Sequence, residues 1–266
     1  MAGVPETIRS RANPLVKRLR ALASEGDPRL ALIEGEKLVR EALGAGLRLE
    51  EVAVTPSFDS GHALAAELRL RGIPVRVVES GVFPALSPAE ASQGIVAVAG
   101  RPQFEESAVL GTAAPLLLVA VGVQNPGNLG GLLRTAEAAG ATGALLTEGC
   151  ADPFSWKALR GSMGSAFRLP HLRRMPVAEA LDLLATRGVR VLAADGEGRL
   201  AFDQADYRGP IAILLGSEGS GLPAEARRRA ALSVRIPMAG AVESLNVGVA
   251  AALLLYQAAR QRGSIR

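Results

Sequence analysis

The chain has 266 residues, of which 48% are hydrophobic and 21% charged, so a disordered protein is excluded and about two domains are expected. The single cysteine, Cys150, excludes an intramolecular disulfide, and with only His62 and His171 it argues against a zinc, iron–sulfur or other metal site. The formal net charge is +4, and all but three of the 30 basic residues are arginine. Either phosphate binding or the base composition of the coding DNA explains that bias.

The apolar runs of the sequence are too short for a membrane helix. The longest are residues 113–123, which contain Pro115, and residues 248–256, whereas a membrane span needs about 20 apolar residues. No apolar secretory signal follows Met1. We therefore expect a soluble, cytoplasmic protein that does not bind a membrane.

The first predicted element is a basic helix near the N-terminus. Asn13 and Pro14 predict its start, with the asparagine as cap and the proline at the first helical position. Leu15, Leu19 and Leu22 form one apolar face. The same segment contains no acidic residue and five basic ones, namely Arg9, Arg11, Lys17, Arg18 and Arg20. These cations indicate either a solvated helix face or a surface that contacts RNA phosphates.

The rest of the N-terminal part alternates between helices and strands. Helices are predicted at residues 35–43 and 60–70, and strands at 52–55, 75–78 and 94–99. A linker with Pro102 and Gly111, followed by Pro115, is predicted at residues 101–114. A boundary near residue 105 divides the chain into predicted domains of residues 1–105 and 106–266.

The second half alternates more regularly and indicates the α/β class. Its predicted strands lie at residues 116–121, 143–146, 189–194, 211–215 and 233–236. Its predicted helices lie at residues 128–139, 155–163, 177–187, 223–230 and 243–261. Because the strands are continuously apolar, they indicate a mostly parallel sheet covered on both faces.

Three loops that follow predicted strands carry polar residues, at the position where open α/β sheets bind ligands. The first loop begins at Asn125. Asn128 can cap the following helix, and Arg134 lies six residues, about 1.7 turns, further along it. Gly130 and Gly131 within its first turn cost roughly 1–2 kcal/mol relative to alanine, which indicates a requirement for space or contact. A plain capped helix with an exposed arginine is the alternative.

The second loop is the glycine-rich turn of residues 216–221. Its spacing is not the dinucleotide pattern G-x-G-x-x-G, and no Gly-Lys-Ser/Thr follows, so it is not a P-loop. Backbone groups of such a turn can hold a polar ligand while Glu218 orients a partner.

The third loop leads into the last predicted helix. Ser244 and Asn246 open that helix, which is apolar nearly all round at residues 250–256 and therefore belongs in the core or in a subunit interface. A capping role explains Ser244 but leaves Asn246 unexplained.

In this order the three loops resemble the motifs of the SpoU/TrmH branch of the SPOUT superfamily of RNA methyltransferases. The motifs correspond to Asn128 and Arg134, to residues 216–218 and to residues 236–247, within a resemblance that covers residues 116–261. The N-terminal part is similar to the family's ribosomal-RNA members at residues 10–14, 32–36 and 93–97. Gly248 departs from the pattern, because many relatives have serine there.

The resemblance implies a small N-terminal RNA-binding α/β domain like a ribosomal protein, followed by a SPOUT domain with a mostly parallel sheet and a deep trefoil knot. The implied cofactor is S-adenosylmethionine, held by backbone groups around Gly216, Ile236 and Leu245. The resemblance also implies a homodimer whose site draws on both subunits, which would account for the apolar C-terminal helix.

The implied reaction is methyl transfer to a ribose 2′-hydroxyl of RNA, with 23S ribosomal RNA as the expected substrate. By resemblance, Arg134 is the base, Ser244 and Asn246 lie near it, and Asn128 and Glu218 orient it. Arginine normally holds its proton to about pH 12, so an RNA phosphate can instead take the proton while Arg134 acts as a positioning cation. The sequence leaves both roles open.

Three other functions compete with this interpretation. A methyltransferase of transfer-RNA ribose is disfavoured because such enzymes typically do not have this N-terminal domain. A catalytically silent RNA-binding or ribosome-assembly factor is disfavoured because all five polar motif residues are present. A nicotinamide-dependent enzyme is disfavoured because its glycine fingerprint is absent.

Overall fold

The computed structural model describes residues 7–87, 89 and 91–264. Within these residues no helix is both long enough and apolar enough to cross a membrane.

The chain forms two compact units. One consists of Met1–Pro102 together with the later segment Phe154–Arg160, and the other of Gln103–Pro153 and Gly161–Arg266. The boundary near residue 105 stays a prediction. The predicted division at one boundary assigns Phe154–Arg160 to the C-terminal domain, whereas in the structure this segment groups with the N-terminal residues.

The N-terminal unit is built on a four-stranded sheet. Its strands are β1 (Leu30–Glu34), β2 (Leu49–Val54), β3 (Val75–Val77) and β4 (Ile95–Gly100). The strand order is β1-β4-β2-β3, with β4 antiparallel to both its neighbours and β2 parallel to β3. The helices are α1 (Pro14–Glu25), α2 (Glu36–Gly44), α3 (Pro56–Gly61) and α4 (Ala63–Leu70).

Helix α1 begins where the sequence predicts. The Asn13 side chain accepts a hydrogen bond from the backbone N–H of Leu15 at 2.9 Å, and Pro14 occupies the first helical position. Val16 and Leu19 are buried in the core of this unit. The predicted cap is therefore confirmed, and the opposite face of the helix is left to solvent.

Two features of this unit differ from the prediction. The sequence does not predict strand Leu30–Glu34, since leucine, alanine and glutamate favour helices, but antiparallel pairing with β4 extends it. The helix predicted at residues 60–70 is two helices, because the backbone is extended at His62. Thr55 caps the first of them by accepting a hydrogen bond from Phe58 N–H at 3.2 Å.

The C-terminal unit contains a seven-stranded sheet. Its strands are β5 (Leu116–Ala120), β6 (Gly143–Thr147), β7 (His171–Met175), β8 (Arg190–Ala194), β9 (Leu200–Ala201), β10 (Ile211–Leu215) and β11 (Leu232–Arg235). The strand order is β7-β6-β5-β10-β8-β11-β9, and every pair is parallel. The remaining helices of the chain are α5 (Glu106–Leu110), α6 (Pro126–Ala138), α7 (Trp156–Ser162), α8 (Ser165–Arg168), α9 (Val177–Thr186), α10 (Ala224–Arg229) and α11 (Val247–Gln261). Of these, α7 begins in the segment Phe154–Arg160 of the N-terminal unit.

The centre of this sheet confirms the predicted parallel architecture. Every residue of β5, β6 and β10 is buried, because both faces of these strands are covered. The sequence does not predict β7, β9 and α8. These elements are short, and β7 carries two arginines and a histidine, so no apolar pattern marks them.

Of the two glycines near the start of α6, Gly130 and Gly131, only Gly130 packs closely against neighbouring backbone. Gly130 is buried, and its Cα lies 3.4 Å from the position that a Cβ on Gly161 would occupy. Gly131 has no atom within 4 Å of an added Cβ. The contact requirement that the sequence indicates is therefore met by close backbone packing at Gly130, whereas the space around position 131 would accommodate a Cβ.

We expect Gly161→Ala and Gly131→Ala to change stability in opposite directions. A Cβ on Gly161 would lie 2.9 Å from the carbonyl oxygen of Gly127, so the backbone must shift, at a cost of about 1–3 kcal/mol in free energy of unfolding. Alanine at the open helical position 131 should instead gain roughly 0.5–1 kcal/mol from helix propensity. Urea unfolding measures both values, and equal effects of the two substitutions would contradict this packing.

Candidate active site

A cavity of about 720 Å³ lies at the carboxyl ends of three neighbouring strands of the C-terminal unit. Its walls come from the residues that follow β8, β10 and β11 and from the first turn of α11. Parallel strands place their carboxyl ends at one edge of the sheet, so loops distant in sequence meet there. The predicted cofactor residues Gly216, Ile236 and Leu245 all line this cavity.

The glycine-rich loop after β10 is folded tightly back on itself. Gly221 has φ +62° and donates its backbone N–H to the carbonyl of Ser217 at 3.0 Å. A Cβ on Gly216 would lie 2.2–2.5 Å from backbone atoms of Gly221 and Leu222. Only glycine fits at position 216, and the loop thereby presents bare backbone to the cavity.

The third loop ends in a helix cap formed by Asn246. Its Oδ1 accepts a hydrogen bond from Gly248 N–H at 2.9 Å, so α11 begins at Val247 rather than at residue 243. This corrects the interpretation of Ser244 as cap, and it explains the presence of Asn246. Ser244 also lines the cavity, and its side chain is exposed.

A second correction concerns the start of α6. The cap is Asn125, whose side chain accepts hydrogen bonds from Gly127 N–H at 2.8 Å and Asn128 N–H at 3.1 Å. Asn128 lies inside the helix, and its amide is therefore available for other contacts. It donates to Glu218 Oε1 and accepts from Asn246 Nδ2 at 3.5 Å. Polar groups from all three loops thus form one connected set.

The structure does not bring Arg134 into this set. Arg134 is exposed, and it forms no hydrogen bond or ion pair with any residue that the structure describes. At about 100° per residue, six residues turn the helix by roughly 240°, so the side chains of Arg134 and Asn128 leave α6 in different directions. Within one chain, Asn128 and Glu218 do not contact the arginine that they are expected to orient.

Charged groups that the sequence analysis did not identify also line the cavity. Asp195, directly after β8, pairs with Arg227 at 3.6 Å, and Arg227 Nε donates to the carbonyl of Leu222 at 3.0 Å. Glu243 adds a further carboxylate to the wall, in addition to Glu218, which the sequence does predict. The position of Asp195 after an apolar strand, followed by a glycine, is the signal that could have revealed it.

Cys150 and His171 are unsuited to nucleophilic or acid–base chemistry at neutral pH. Burial raises the pKa of the Cys150 thiol, and desolvation lowers the pKa of His171 to about 4. Both groups are therefore neutral at pH 7. In the part of the chain that the structure describes, no cluster of three or more His, Cys, Asp or Glu residues could hold a metal ion.

The five predicted RNA-binding cations are all exposed in the N-terminal unit. They differ in their partners. Arg18 donates to Glu50 at 2.7 Å and lies 3.8 Å from Glu51. Arg9, Arg11, Lys17 and Arg20 form no ion pair with described residues.

The polar groups of the three loops lie at the carboxyl edge of a parallel sheet, next to a cavity. This arrangement is typical of a ligand-binding α/β enzyme, and the three motifs indicate the class of RNA methyltransferases. The chain belongs to the SpoU rRNA methylase family, whose model matches residues 115–256. A second model, the N terminus of thiostrepton-resistance methylases, matches residues 5–112. The resemblance drawn from the three loops is confirmed.

Relatives match nearly the whole chain. The 23S rRNA (guanosine(2553)-2′-O)-methyltransferase RlmP of Bacillus subtilis is 36% identical over 85% of this chain and 86% of its own length. A solved RNA 2′-O ribose methyltransferase superposes with a TM-score of 0.83 at 35% identity, covering 96% of this chain and 99% of that one. An AdoMet-bound rRNA methyltransferase from Sinorhizobium meliloti gives a TM-score of 0.82 at 31% identity, covering 96% and 97%.

Proposed function

We propose that this protein transfers a methyl group from S-adenosylmethionine to a ribose 2′-hydroxyl of 23S ribosomal RNA. The observation that carries the proposal is the connected set of Asn128, Glu218 and Asn246 beside the cavity. The proposal also rests on family membership and on relatives whose names state 2′-O-methylation of 23S rRNA. An rRNA substrate would place the activity in the cytoplasm.

The cavity suits this cofactor in size and in chemistry. Its volume of about 720 Å³ falls in the range of small-molecule sites. Backbone groups at Gly216, Ile236 and Leu245 would hold the adenosine, and the carboxylates of Glu218 and Glu243 favour a cationic ligand. When bound, S-adenosylmethionine supplies an electrophilic methyl group on its sulfonium. The trefoil knot around these loops remains a proposal that rests on family membership.

Gly216→Ala should abolish binding of S-adenosylmethionine, whereas Gly219→Ala should not. The new Cβ at position 216 would collide with backbone atoms at 2.2–2.5 Å, so the loop must open. At position 219 no atom lies within 4 Å of an added Cβ, and the two variants otherwise carry the same change. Isothermal titration calorimetry with S-adenosylmethionine measures the difference, and NAD serves as a negative-control ligand. Equal affinities of the two folded variants for S-adenosylmethionine would show that this loop does not form part of the cofactor site.

We further propose a homodimer in which α11 contributes to the interface. Val249, Leu253 and Tyr256 are exposed by 50%, 38% and 43%, and their spacing of four and three residues places them on one face of the helix. The exposed position of Arg134 on α6 fits an arginine that serves the cavity of the second copy. There the guanidinium would meet the ribose hydroxyl beside Ser244 and Asn246.

Arg134→Ala should abolish methyl transfer and leave cofactor affinity nearly unchanged, because other residues line the cavity. A drop of at least 10²–10⁴-fold in single-turnover rate is expected, the usual size of a general-base effect. Arg134→Lys keeps the charge but does not have the planar fork that can hold a phosphate and a hydroxyl together, so it should rescue little. Transfer of tritiated methyl groups to 23S rRNA, with bulk transfer RNA as the competing acceptor, measures the rates.

Near-normal single-turnover methylation by Arg134→Ala would remove this residue from the chemistry. Preferred methylation of transfer RNA by the unaltered protein would favour the transfer-RNA alternative. Cofactor binding without methylation of either RNA would favour the silent RNA-binding factor.

The free cations of the N-terminal segment should supply part of the RNA affinity. Neutralising Arg9, Arg11, Lys17 and Arg20 to glutamine should reduce the salt dependence of binding by roughly 0.7–0.9 log units for each RNA phosphate that is no longer neutralised. Arg18→Gln is the matched control, because its guanidinium is already paired with Glu50 at 2.7 Å. Filter binding of 23S rRNA across a salt series measures the slopes. A slope unchanged by the four substitutions would favour a merely solvated face.

A further inference from the structure

The only tryptophan of the chain, Trp156, lies at the start of α7 between two cations. Lys157 Nζ is 5.7 Å and Arg160 Cζ 5.6 Å from the centre of its ring. The ring is partly exposed, and both cations are exposed. Neither the cavity nor the connected polar set uses these three residues.

The neighbouring residues fix the direction in which this cluster faces. Phe154 is 2% exposed, and Arg101 Cζ lies 5.3 Å from the centre of its ring, which anchors the segment in the N-terminal unit. Ala158 and Leu159 are buried. The buried residues hold one side of the turn, so the aromatic ring and the two cations occupy the other side.

Among the residues that the structure describes, none neutralises the positive charge of this cluster. Lys157 and Arg160 form no ion pair with any residue described by the structure. By contrast, Arg40 on α2 pairs with Glu36 at 2.8 Å, and Arg71, directly after α4, pairs with Glu67 at 2.7 Å. A partly exposed aromatic ring beside two cations without an ion pair among the described residues matches the chemistry of single-stranded nucleic acid, in which a base stacks on the ring and phosphates pair with the cations.

We propose that Trp156 stacks on an unpaired base of the substrate RNA while Lys157 and Arg160 contact the flanking phosphates. The inference rests on the proposed function, since it takes RNA as the substrate. The segment Phe154–Arg160 groups with the N-terminal unit, which also carries the free cations of α1 and the residues before it. Bases inside a duplex are already stacked, so the cluster selects a loop, bulge or single strand.

The fluorescence of Trp156 tests this contact directly. With excitation at the red edge, where the two tyrosines do not absorb, all emission comes from this residue. Titration of the full-length protein with a single-stranded RNA dodecamer should quench the emission saturably. A blunt RNA duplex of the same length should quench it much less. Saturable binding of the dodecamer without any change in emission would overturn the proposal.

Substitutions separate stacking from a structural role. Trp156→Ala should weaken binding of the dodecamer by about 5- to 150-fold, the usual range for one stacked base, and Trp156→Phe should recover most of the affinity. Lys157→Gln with Arg160→Gln should reduce the salt slope by roughly 0.7 log units for each phosphate that is no longer neutralised. Arg71→Gln removes an exposed but paired arginine of the same unit and should change neither quantity.

Cofactor affinity and oligomeric state distinguish loss of the RNA contact from a general structural effect of the substitutions. S-adenosylmethionine affinity should be the same in all variants, since none of these residues lines the cavity. Sedimentation should show an unchanged oligomeric state, and a shift on Trp156→Ala would assign the ring to a protein interface and overturn the proposal. If the protein methylates no RNA while the quenching and its dependence on Trp156 persist, the proposed function fails and the RNA contact stands.

Discussion

The candidate site depends on the parallel pairing of β10 with β5 on one side and β8 on the other. Because these strands run in the same direction, the loops after them leave the sheet at one edge. Every residue of β5 and β10 is buried, so both strands lie at the centre of the sheet with both faces covered. The sheet therefore places Asn128, Glu218 and Asn246 within hydrogen-bonding range although as many as 118 residues separate them.

The helix caps determine which asparagine side chains are available for hydrogen bonds in the candidate site. Asn125 satisfies the first N–H groups of α6, which leaves the amide of Asn128 to bridge Glu218 and Asn246. Asn246 caps α11 with its oxygen and offers its amide nitrogen to Asn128. One asparagine thus serves both structure and site, because its two polar atoms act on different partners.

Two exposed features of a single chain bear on the proposed homodimer. Arg134 is exposed, on a different face of α6 from Asn128, and the apolar stripe of Val249, Leu253 and Tyr256 on α11 is open to solvent. In the proposed homodimer, a second copy of the chain would cover the apolar stripe on α11. It would also bring its own Arg134 to the cavity of the first copy. The N-terminal unit contributes charge instead of cavity walls, with free cations on α1 and an aromatic ring between cations at α7.

The sequence by itself determined the α/β class, the central parallel strands, the cap at Asn13 and the three loops that carry the polar residues. Each of these follows from local pattern: continuous apolar runs, Asn-Pro at a helix start, and glycine next to polar groups after a strand. Only the tertiary structure decided that Leu30–Glu34 is a strand, that Asn125 and Asn246 are the caps, and that Arg134 stands apart from Asn128. The physical reason is that strand pairing, cap choice and side-chain direction depend on partners distant in sequence, which no local pattern records.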